Sequence, residues 1–503
     1  MLLMGLDVGT TGCKAVVFDR RGRVQVSAYR EYPLLHPETD WSELDPNTVW
    51  VSLVETIRQC MKGVKDPREI ASISVSAQGE AFTPMSREGE HLYRCITTWD
   101  YRAREQHDSF TEKFGRKALF RLTGHPSSPI YTLYKIVWLR EKHREIYEKT
   151  WKFLLWEDFV NWRLCREPVI DHSLASRTML FDVGKREWCE EILQESKIEQ
   201  EKLPQTLHSG KIVGEVNAEA SKQTGLARGT LVATGGHDQA CGALGVGAID
   251  QGVSYLSTGT VECVTAPLNS PILSQNALSQ GYANYCHTAP DRYLILGANP
   301  TAGSVLRWMR DNFYQWEKED VAKAGRDIYD VMIEEASRSL PGSKGLVFLP
   351  HFMGGGNPTF DSESKGAILG LTLAHSRGDI VRAALEGISH QLRWNVEALS
   401  GLGAEIGELR AVGGGARSTF WLQLKADIAR RRIVTPRIEE AASLGAAKLS
   451  GLACKVYSDL NEAISSTTIE SRTFLPCEQD DYADSHNAFR RVYEALRKMR
   501  GEI

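Results

Sequence analysis

The sequence predicts an α/β protein built from two related domains that face each other across a cleft. A chain of 503 residues exceeds what one hydrophobic core usually supports. Strand-like and helix-like patterns alternate along it, which is typical of α/β architectures. A strand, a Gly-Thr turn and a second strand open each half, with Gly9-Thr10 and Gly259-Thr260 at the two turns. Such a repeat over half the chain indicates two domains of one design.

The first half opens with three predicted strands in residues 2–29, LLMGLDVGTTGCKAVVFDRRGRVQVSAY, joined by the turns GTTG and DRRG. The segment DPNTVWVSLVETIRQCMKG predicts a helix with Asp45 as its N-cap and Pro46 in its first turn. A buried strand with a polar end is predicted at residues 69–80, EIASISVSAQGE.

The second half begins again at residues 252–266, GVSYLSTGTVECVTA. This restart places the domain boundary near residue 248, which predicts domains at 1–248 and 249–503. The two openings differ in one respect, because Asp7 precedes the first Gly-Thr pair and Ser257 takes the corresponding place in the second.

Composition excludes several classes of protein. A formal charge of −4 offers no electrostatic reason to expect nucleic acid or an anionic membrane as partner. The 10 cysteines form no CxxC pair, which argues against zinc and against a disulfide framework and favours the cytoplasm. No stretch approaches the roughly 20 apolar residues that a membrane span needs.

The stretch LVATGGHDQACGALGVG, residues 231–247, runs a predicted strand into two glycines and then into His237, Asp238 and Gln239. A helix of small residues follows. An aspartate at this place is a common helix N-cap, and it is also well placed to present a carboxylate for chemistry. The two roles are compatible, and the local pattern leaves both open.

Glycine turns elsewhere suggest phosphate binding. Exposed backbone amides and threonine hydroxyls can cradle phosphate oxygens, and a nearby carboxylate can hold magnesium through its water shell. An ordinary hairpin turn is the alternative at the first of these turns. GELRAVGGGARSTFWLQLKADIA predicts a strand, a turn at residues 413–415 and a helix that starts near Ser418. Neither a Walker A pattern nor a GxGxxG fingerprint is present. The small face of Ala442, Gly445 and Ala446 is expected to pack against another helix.

Several motifs together resemble one known family. GAILGLTLAHSRGDIVRAALEG, residues 366–387, is similar to the C-terminal signature of the FGGY carbohydrate kinases, which include xylulokinases and glycerol kinases. The similarity continues in order through MGLDVGTTGCKAVVFD, VSAQGEAF, WDYRA, DHSLASRTMLFD, GGHDQ, LSTGT, NPTAGSVLRWMRD and GGGARSTFWLQLKAD. The resemblance implies an actin-like ATPase fold, in which two ribonuclease H-like domains enclose a cleft for ATP and sugar.

The resemblance also implies roles for single residues. Asp238 would be the catalytic base, and Asp7 would hold Mg²⁺ through water, with Asp238 sharing the ion. Lys14 stands where relatives often carry arginine, which keeps the charge but loses the bidentate fork. The residues implied to bind ATP are Thr10, Thr11, Lys14, Gly259, Thr260, Gly303, Gly414, Gly415 and Ser418.

The acceptor site departs from that of glycerol kinases. Their Gln-Arg-Glu triplet is Gln78-Gly79-Glu80 here, and Ile130 replaces an aromatic residue. Both changes open the pocket, which disfavours glycerol and favours a ketose such as xylulose or a related pentulose. Another polyol, a deoxyketose or a sugar acid is the alternative. The residues expected to bind the substrate are Gln78, Glu80, Trp99, Asp100, Arg102, His237 and Gln239.

Two of these residues have a second interpretation. Trp99 would stack on the sugar or belong to the core, and His237 would bond a sugar hydroxyl or brace the turn. A non-catalytic nucleotide-binding protein is a remote alternative. A sugar-sensing regulator is disfavoured because the chain starts on its first predicted strand, which leaves no room there for a DNA-binding segment. The amphipathic segment HNAFRRVYEALRKMR suggests a packing element or a homodimer contact.

Overall fold

The computed structural model describes residues 1–438, 440–467 and 471–501. These residues form two large mixed β-sheets, one with strands from the first half of the chain and one with strands from the second half. The arrangement confirms the α/β prediction.

The first half contributes the first sheet and its helices. Its strands are β1 Leu2–Val8, β2 Gly12–Asp19, β3 Val24–Glu31, β4 Glu43–Leu44, β5 Ile70–Ala77, β6 Thr83–Met85, β7 Cys95–Ile96, β8 Lys152–Leu154, β9 Val169–Asp171, β10 Phe181–Asp182, β11 Glu187–Trp188, β12 Gln205–Leu207, β13 Ile212–Glu215 and β14 Leu231–His237. Its α-helices are α1 Pro46–Met61, α2 Arg104–Phe114, α3 Arg116–Thr123, α4 Thr132–Lys142, α5 Arg144–Lys149, α6 Trp156–Cys165, α7 His172–Ser176, α8 Glu190–Ser196, α9 Ala218–Thr224 and α10 Asp238–Gly245.

The second half contributes the second sheet and the remaining helices. Its strands are β15 Gly252–Thr258, β16 Glu262–Leu268, β17 Ala283–Cys286, β18 Tyr293–Asn299, β19 Val347–Leu349, β20 Ala367–Leu369, β21 Ile406–Val412, β22 Arg432–Pro436 and β23 Ser471–Phe474. Its α-helices are α11 Gln275–Ser279, α12 Gly303–Phe313, α13 Lys318–Lys323, α14 Ile328–Ser337, α15 Arg377–Gly401, α16 Thr419–Ala429, α17 Ala441–Ala453, α18 Leu460–Ser465 and α19 Ala483–Gly501.

The two sheets share one strand order. The first is β3-β2-β1-β5-β14-β13, and the second is β18-β16-β15-β21-β22-β23 with β17 added beside β18. In both, an antiparallel meander is followed by two parallel neighbours and then an antiparallel edge strand. The repeat predicted from one short hairpin therefore extends over six strands of each sheet. The exact boundary at residue 248 stays a prediction.

The first meander and the helix after it follow the sequence pattern closely. Strands β1, β2 and β3 pair in order, with the predicted turns between them. Helix α1 begins at Pro46, and the Asp45 carboxylate accepts a hydrogen bond from the Asn47 amide. Pro46 suits this place because the first helical residue needs no N–H partner and its φ is already helical.

Two corresponding helices are exchanged between the sheets. Helix α10 follows β14, and α17 follows β22, the strand at the same place in the second sheet. Leu444 and Ala447 of α17 nevertheless pack against Leu3 and Val16 of the first sheet. Ala243 of α10 packs with Tyr255 and Val412 of the second sheet.

Helices α10 and α17 cross in direct backbone contact. A Cβ added at Gly445 would lie 2.6 Å from the carbonyl carbon of Cys241, and one added at Gly245 would lie 2.9 Å from that of Ala441. Only glycine leaves room for this approach. The prediction that the small face of α17 packs against a helix is confirmed.

Within the described part of the chain, no helix has the length and apolar character needed to cross a membrane.

Candidate active site

The candidate site lies where three parallel strands of the first sheet end together. Val8 of β1, Ala77 of β5 and His237 of β14 are in register across the sheet. Because the carboxyl ends of parallel strands meet at one edge, the residues that follow them are brought together. These are the first glycine hairpin, the Gln78–Glu80 segment and Asp238.

Gly235 and Gly236, before Asp238, belong to the end of β14 and are bonded to neighbouring elements. The Gly235 amide donates to the Glu157 carboxyl (2.6 Å), and the His237 amide donates to the Ser173 hydroxyl (2.8 Å). A Cβ at Gly236 would lie 2.7 Å from that same hydroxyl oxygen. The end of β14 therefore needs glycine for close approach, and two hydrogen bonds tie its backbone to neighbouring side chains.

Asp238 is the first residue of α10, and His237 takes the N-cap position. The proposal that Asp238 is the helix N-cap is therefore wrong by one residue. Its side chain is 39% exposed, and its Oδ1 accepts a hydrogen bond from the Gln239 amide (2.6 Å). Burial of the carboxyl within the site, and then the Asp7 charge, raise the pKa of Asp238 to about 7.

The neighbours of Asp238 are buried. His237 Nε2 lies 3.2 Å from Asp238 Oδ1, and burial, followed by the Arg177 charge, lowers the pKa of His237 well below its usual range. The imidazole is therefore neutral at physiological pH. Its Nδ1 and the Gln239 side-chain oxygen are buried without a hydrogen-bond partner among the described residues.

Asp7 and the first hairpin lie beside Asp238. The Ser76 hydroxyl donates to Asp7 Oδ1 (2.9 Å), and burial raises the pKa of Asp7 above its ordinary value. Lys14 is opposite Asp7 in the β1–β2 ladder, and its Nζ lies 2.5 Å from Glu440. This ion pair joins the first hairpin to the residue that precedes α17.

Gln78 braces the first hairpin. Its amide nitrogen donates to the Gly9 carbonyl (3.0 Å), and its amide oxygen accepts from the Thr10 hydroxyl (2.8 Å). Thr11 is exposed at the tip. In this structure both ends of Gln78 serve the hairpin, so its predicted contact with the sugar stays a prediction.

The second hairpin is formed by Gly259 and Thr260 between β15 and β16. The Gly303 amide, at the start of α12, donates to the Gly259 carbonyl (2.9 Å). A Cβ at Gly303 would lie 2.6 Å from that oxygen. The hairpin tip therefore adjoins the N-terminus of α12, where backbone N–H groups attract anions.

The turn at residues 413–415 completes this side. A Cβ at Gly415 would lie 2.5 Å from the Thr258 hydroxyl, whereas one at Gly414 would meet nothing within 4 Å. Gly414 therefore faces open space, and Gly415 is packed against the second hairpin. Ser418 caps α16, because its hydroxyl accepts from the Trp421 amide (3.2 Å).

Lys425 supports the second hairpin and was missed in the sequence. It is fully buried on α16, donates to the Thr258 hydroxyl (3.1 Å) and forms an ion pair with Glu262. A lysine on the buried side of a helix next to a glycine turn was the available signal. The buried pair thus supports Thr258, which also adjoins Gly415.

Glu80 pairs with an arginine that was also not selected from the sequence. The Arg177 guanidinium forms an ion pair with the Glu80 carboxylate, and both side chains are almost completely buried. Arg177 immediately follows α7. Nothing in the local spacing of Glu80 and Arg177 predicts that they meet.

Three other predicted acceptor residues lie in different environments. The side chains of Arg102 and Asp100 are completely buried and form an ion pair of 2.7 Å. The Arg102 guanidinium also pairs with Glu43 (2.9 Å). Its central carbon lies 3.7 Å from the ring centre of Trp41. Their geometry favours a role in positioning the neighbouring loop. Trp99 is 54% exposed, which excludes the interpretation that it belongs to the core.

Asp7 and Asp238 fit a hard divalent cation. Each carboxylate is partly buried, and the Asp7 charge contributes to the raised pKa of Asp238, so a cation between them would relieve their repulsion. Among the described residues, no three metal-ligating side chains form a closed cluster. A cation here would thus take its remaining ligands from phosphate and water.

Sequence comparison assigns both halves to one family. Residues 2–245 match the N-terminal domain of the FGGY family of carbohydrate kinases, and residues 254–454 match its C-terminal domain. The chain belongs to the FGGY family of carbohydrate kinases. It is accordingly an ATP-dependent sugar phosphotransferase with the actin-like ATPase fold, as the motifs predicted.

Individual FGGY relatives carry different names. The chain is 29% identical to a gluconokinase of Bacillus subtilis (strain 168) over 499 residues, with 99% of this chain and 96% of the relative covered. It is 25% identical to a xylulose kinase of Staphylococcus xylosus over 494 residues, covering 98% and 99%. The solved xylulose kinase of Lactobacillus acidophilus superposes with a TM-score of 0.87 at 26% identity, covering 100% of this chain and 98% of that one.

Proposed function

We propose that this FGGY kinase transfers the γ-phosphoryl group of ATP to a hydroxyl of a neutral ketose, such as xylulose or a related pentulose, with Mg²⁺ as cofactor. The observation that carries the proposal is Asp238. Its carboxylate lies at the carboxyl edge of the first sheet beside Asp7, with a pKa of about 7. A carboxylate with this pKa suits a base that accepts a hydroxyl proton near neutral pH.

Asp238 accepts the proton of the attacking hydroxyl. The bonded end of β14 and the adjacent His237 position the carboxylate, which favours productive alignment with the acceptor. Because the imidazole of His237 is neutral, it does not compete with the acceptor as a strong proton donor.

The two hairpins hold the phosphates from opposite sheets. On the first, Lys14 supplies a positive charge and Thr11 an exposed hydroxyl, and Thr10 would reach a phosphate only by releasing its hydrogen bond to Gln78. On the second, the Gly259 amide donates to the Val261 carbonyl (3.1 Å), and Thr260 at the tip offers its backbone amide beside the start of α12. The open face of the 413–415 turn accommodates the nucleotide. Mg²⁺ held through Asp7 and Asp238 would neutralise charge that develops on the phosphoryl oxygens.

Charge in the acceptor region favours a neutral substrate. Arg177 is already balanced by Glu80, and the buried ammonium of Lys135 donates to the carbonyls of Thr97 (2.6 Å) and Thr98 (3.4 Å). A sugar acid would bring another carboxylate towards Glu80 and Asp238, where Arg177 already pairs with Glu80. Because some relatives are named gluconokinases, a sugar acid is the competing class of acceptor.

The acceptor is identified by ADP release with ATP and Mg²⁺ across xylulose, other pentuloses, deoxyketoses, glycerol and gluconate. We expect the highest kcat/KM for a pentulose, and at least about tenfold less for glycerol and gluconate. A kcat/KM for gluconate or glycerol equal to that of the best pentulose would contradict the proposed acceptor class.

The base is tested with Asp238→Asn. We expect ATP to bind with an unchanged dissociation constant in calorimetry, whereas phosphoryl transfer falls by about 10²–10⁴-fold. Asp66→Asn is the control, because Asp66 is an exposed carboxylate that caps the short turn at Pro67–Glu69. Near-normal turnover in Asp238→Asn would rule out the base assignment.

A further inference from the structure

Arg177 reaches the candidate site across Gly79. A Cβ at position 79 would lie 3.2 Å from Cβ and Cγ of Arg177 and 3.2 Å from Cδ2 of His237. These contacts are tighter than ordinary carbon–carbon packing. The absence of a side chain at Gly79 therefore leaves the space through which the stem of Arg177 passes, beside the imidazole that precedes Asp238.

The guanidinium of Arg177 is only partly satisfied. It forms an ion pair with Glu80, and its side chain is 11% exposed. Its Nε and Nη1 are buried and have no hydrogen-bond partner among the described residues, and the same is true of the Tyr285 hydroxyl. Unpartnered buried donors are rare in folded proteins because they lose their hydration without compensation.

Two aromatic rings hold the guanidinium in place. Its central carbon lies 5.7 Å from the ring centre of Tyr131 and 5.4 Å from that of Tyr285. The ring of Tyr285 also meets His237 edge-on, with 5.4 Å between the ring centres. Arg177, Tyr285 and His237 therefore form one connected cluster with unpartnered polar atoms.

This cluster lies within electrostatic reach of the base. Burial and the Asp7 charge raise the pKa of Asp238, and the Arg177 charge acts in the opposite direction. A ligand that contacts the cluster would thus lie close to the carboxylate proposed to deprotonate it.

We propose that Arg177 binds the acceptor sugar, donating from Nε and Nη1 to separate oxygens of a polyhydroxylated substrate, with Tyr285 as a further hydrogen-bonding group. This assignment rests on the proposed function and adds its specificity-determining residue. Nε and Nη1 lie on different edges of the guanidinium, so they suit a ligand with several hydroxyl groups. Glu80 neutralises the charge, so the recognition is of hydroxyl or carbonyl oxygens.

The first test is Arg177→Lys, which keeps the positive charge beside Glu80 and removes the guanidinium N–H groups. We expect the KM and the calorimetric dissociation constant for the best acceptor to rise at least about tenfold. The KM and the calorimetric dissociation constant for ATP should stay within about twofold. An equal loss of affinity for ATP and for the acceptor, with a lower melting temperature, would indicate a merely structural role and overturn the assignment.

Arg186→Lys is the matched control. Arg186 also pairs with a carboxylate, that of Asp291 (2.6 Å), and also lies over an aromatic ring, that of Tyr293 (4.8 Å). It belongs to neither hairpin and has no contact with Glu80. We expect its acceptor KM to stay at the wild-type value.

Deoxy analogues of the best acceptor identify the oxygen that is bound. Removing that oxygen should weaken binding to the wild type, and Arg177→Lys should then add almost nothing, because interacting partners are not additive. An equal penalty of Arg177→Lys for every deoxy analogue would overturn the assignment.

The two proposals fail in different ways. If the wild type phosphorylates only a sugar acid, the proposed acceptor class is wrong, and the Arg177 test is carried out with that acid. If the wild type phosphorylates a ketose and Arg177→Lys binds it with unchanged affinity, only the Arg177 assignment is overturned. A wild type that neither phosphorylates nor binds any compound of the panel overturns both.

Discussion

Where α10 and α17 cross, one added methyl group should force the two helices apart. Helix α10 begins with Asp238, and α17 directly follows Glu440, so the displacement would reach both residues. In Gly445→Ala the new Cβ would lie 2.6 Å from the carbonyl carbon of Cys241, and closer still to its oxygen. Carbon atoms pack favourably at about 3.5–4.0 Å, so the backbones must separate by about 1 Å. Both neighbours are backbone atoms, which no rotamer change can remove.

The displacement should affect catalysis more than folding. Overpacking of this kind costs about 1–3 kcal/mol of stability, which a chain of this size can tolerate. A shift of about 1 Å at a catalytic group, however, can lower kcat by about 10²-fold. We therefore expect Gly445→Ala to fold with a slightly lower melting temperature and to lose most of its turnover. Gly245→Ala, on the opposite helix, should behave alike.

Gly401→Ala is the control for this comparison. Gly401 ends α15, and a Cβ there would meet nothing within 4 Å. The assay is kcat with the best acceptor, together with circular dichroism and the midpoint of thermal unfolding. If Gly445→Ala matched Gly401→Ala in both kcat and melting temperature, the reasoning that the glycine contact fixes Asp238 would be refuted.

Three further predictions concern the charged groups. Burial and the Asp7 charge raise the pKa of Asp238, and a cation beside both carboxylates would lower it again, so kcat/KM should fall as the pH drops and the base is protonated; a flat profile from about pH 8 to about pH 5 would contradict the base. Lys14→Gln should raise the KM for ATP about tenfold. The melting temperature should barely change, because a partly exposed ion pair contributes at most about 1 kcal/mol. An unchanged KM for ATP would show that Lys14 does not contact the phosphates. Lys425→Met leaves Glu262 buried and unpaired, which should lower the stability by about 3–5 kcal/mol. Adding Glu262→Gln should restore the melting temperature but not the KM for ATP. If both were restored, the Lys425–Glu262 pair would have only a structural role.

Local patterns in the sequence predicted much of the framework. Asp45 and Pro46 mark the start of α1 because capping depends on residues only a few positions apart. The paired Gly-Thr hairpins indicated a duplicated domain, since each hairpin is a short-range structure. The expectation that Gly235 and Gly236 form a sharp turn is wrong, because both lie in strand β14, which runs directly into α10; glycine is required there for close approach to neighbouring atoms.

Long-range partners could not be predicted in the same way. Lys14 meets Glu440 across 426 positions of the chain, and Lys425 meets Glu262 across 163. No periodicity or spacing joins such residues, because the pairing follows from how the two sheets and the exchanged helices pack. Arg177 belongs to the same class, and its closeness to Glu80 follows from the empty space at Gly79.

The exchange of helices links the acceptor side of the molecule to the nucleotide side. Helix α10 begins with the proposed base and packs on the second sheet, whereas α17 belongs by sequence to the second half and packs on the first. Movement of one sheet against the other would therefore strain the close contact between these helices. Lys14 and Glu440 span the same junction directly before α17. If nucleotide phosphate engages Lys14 as proposed, it would compete with Glu440 for that charge, and nucleotide binding would act on the residue that precedes α17.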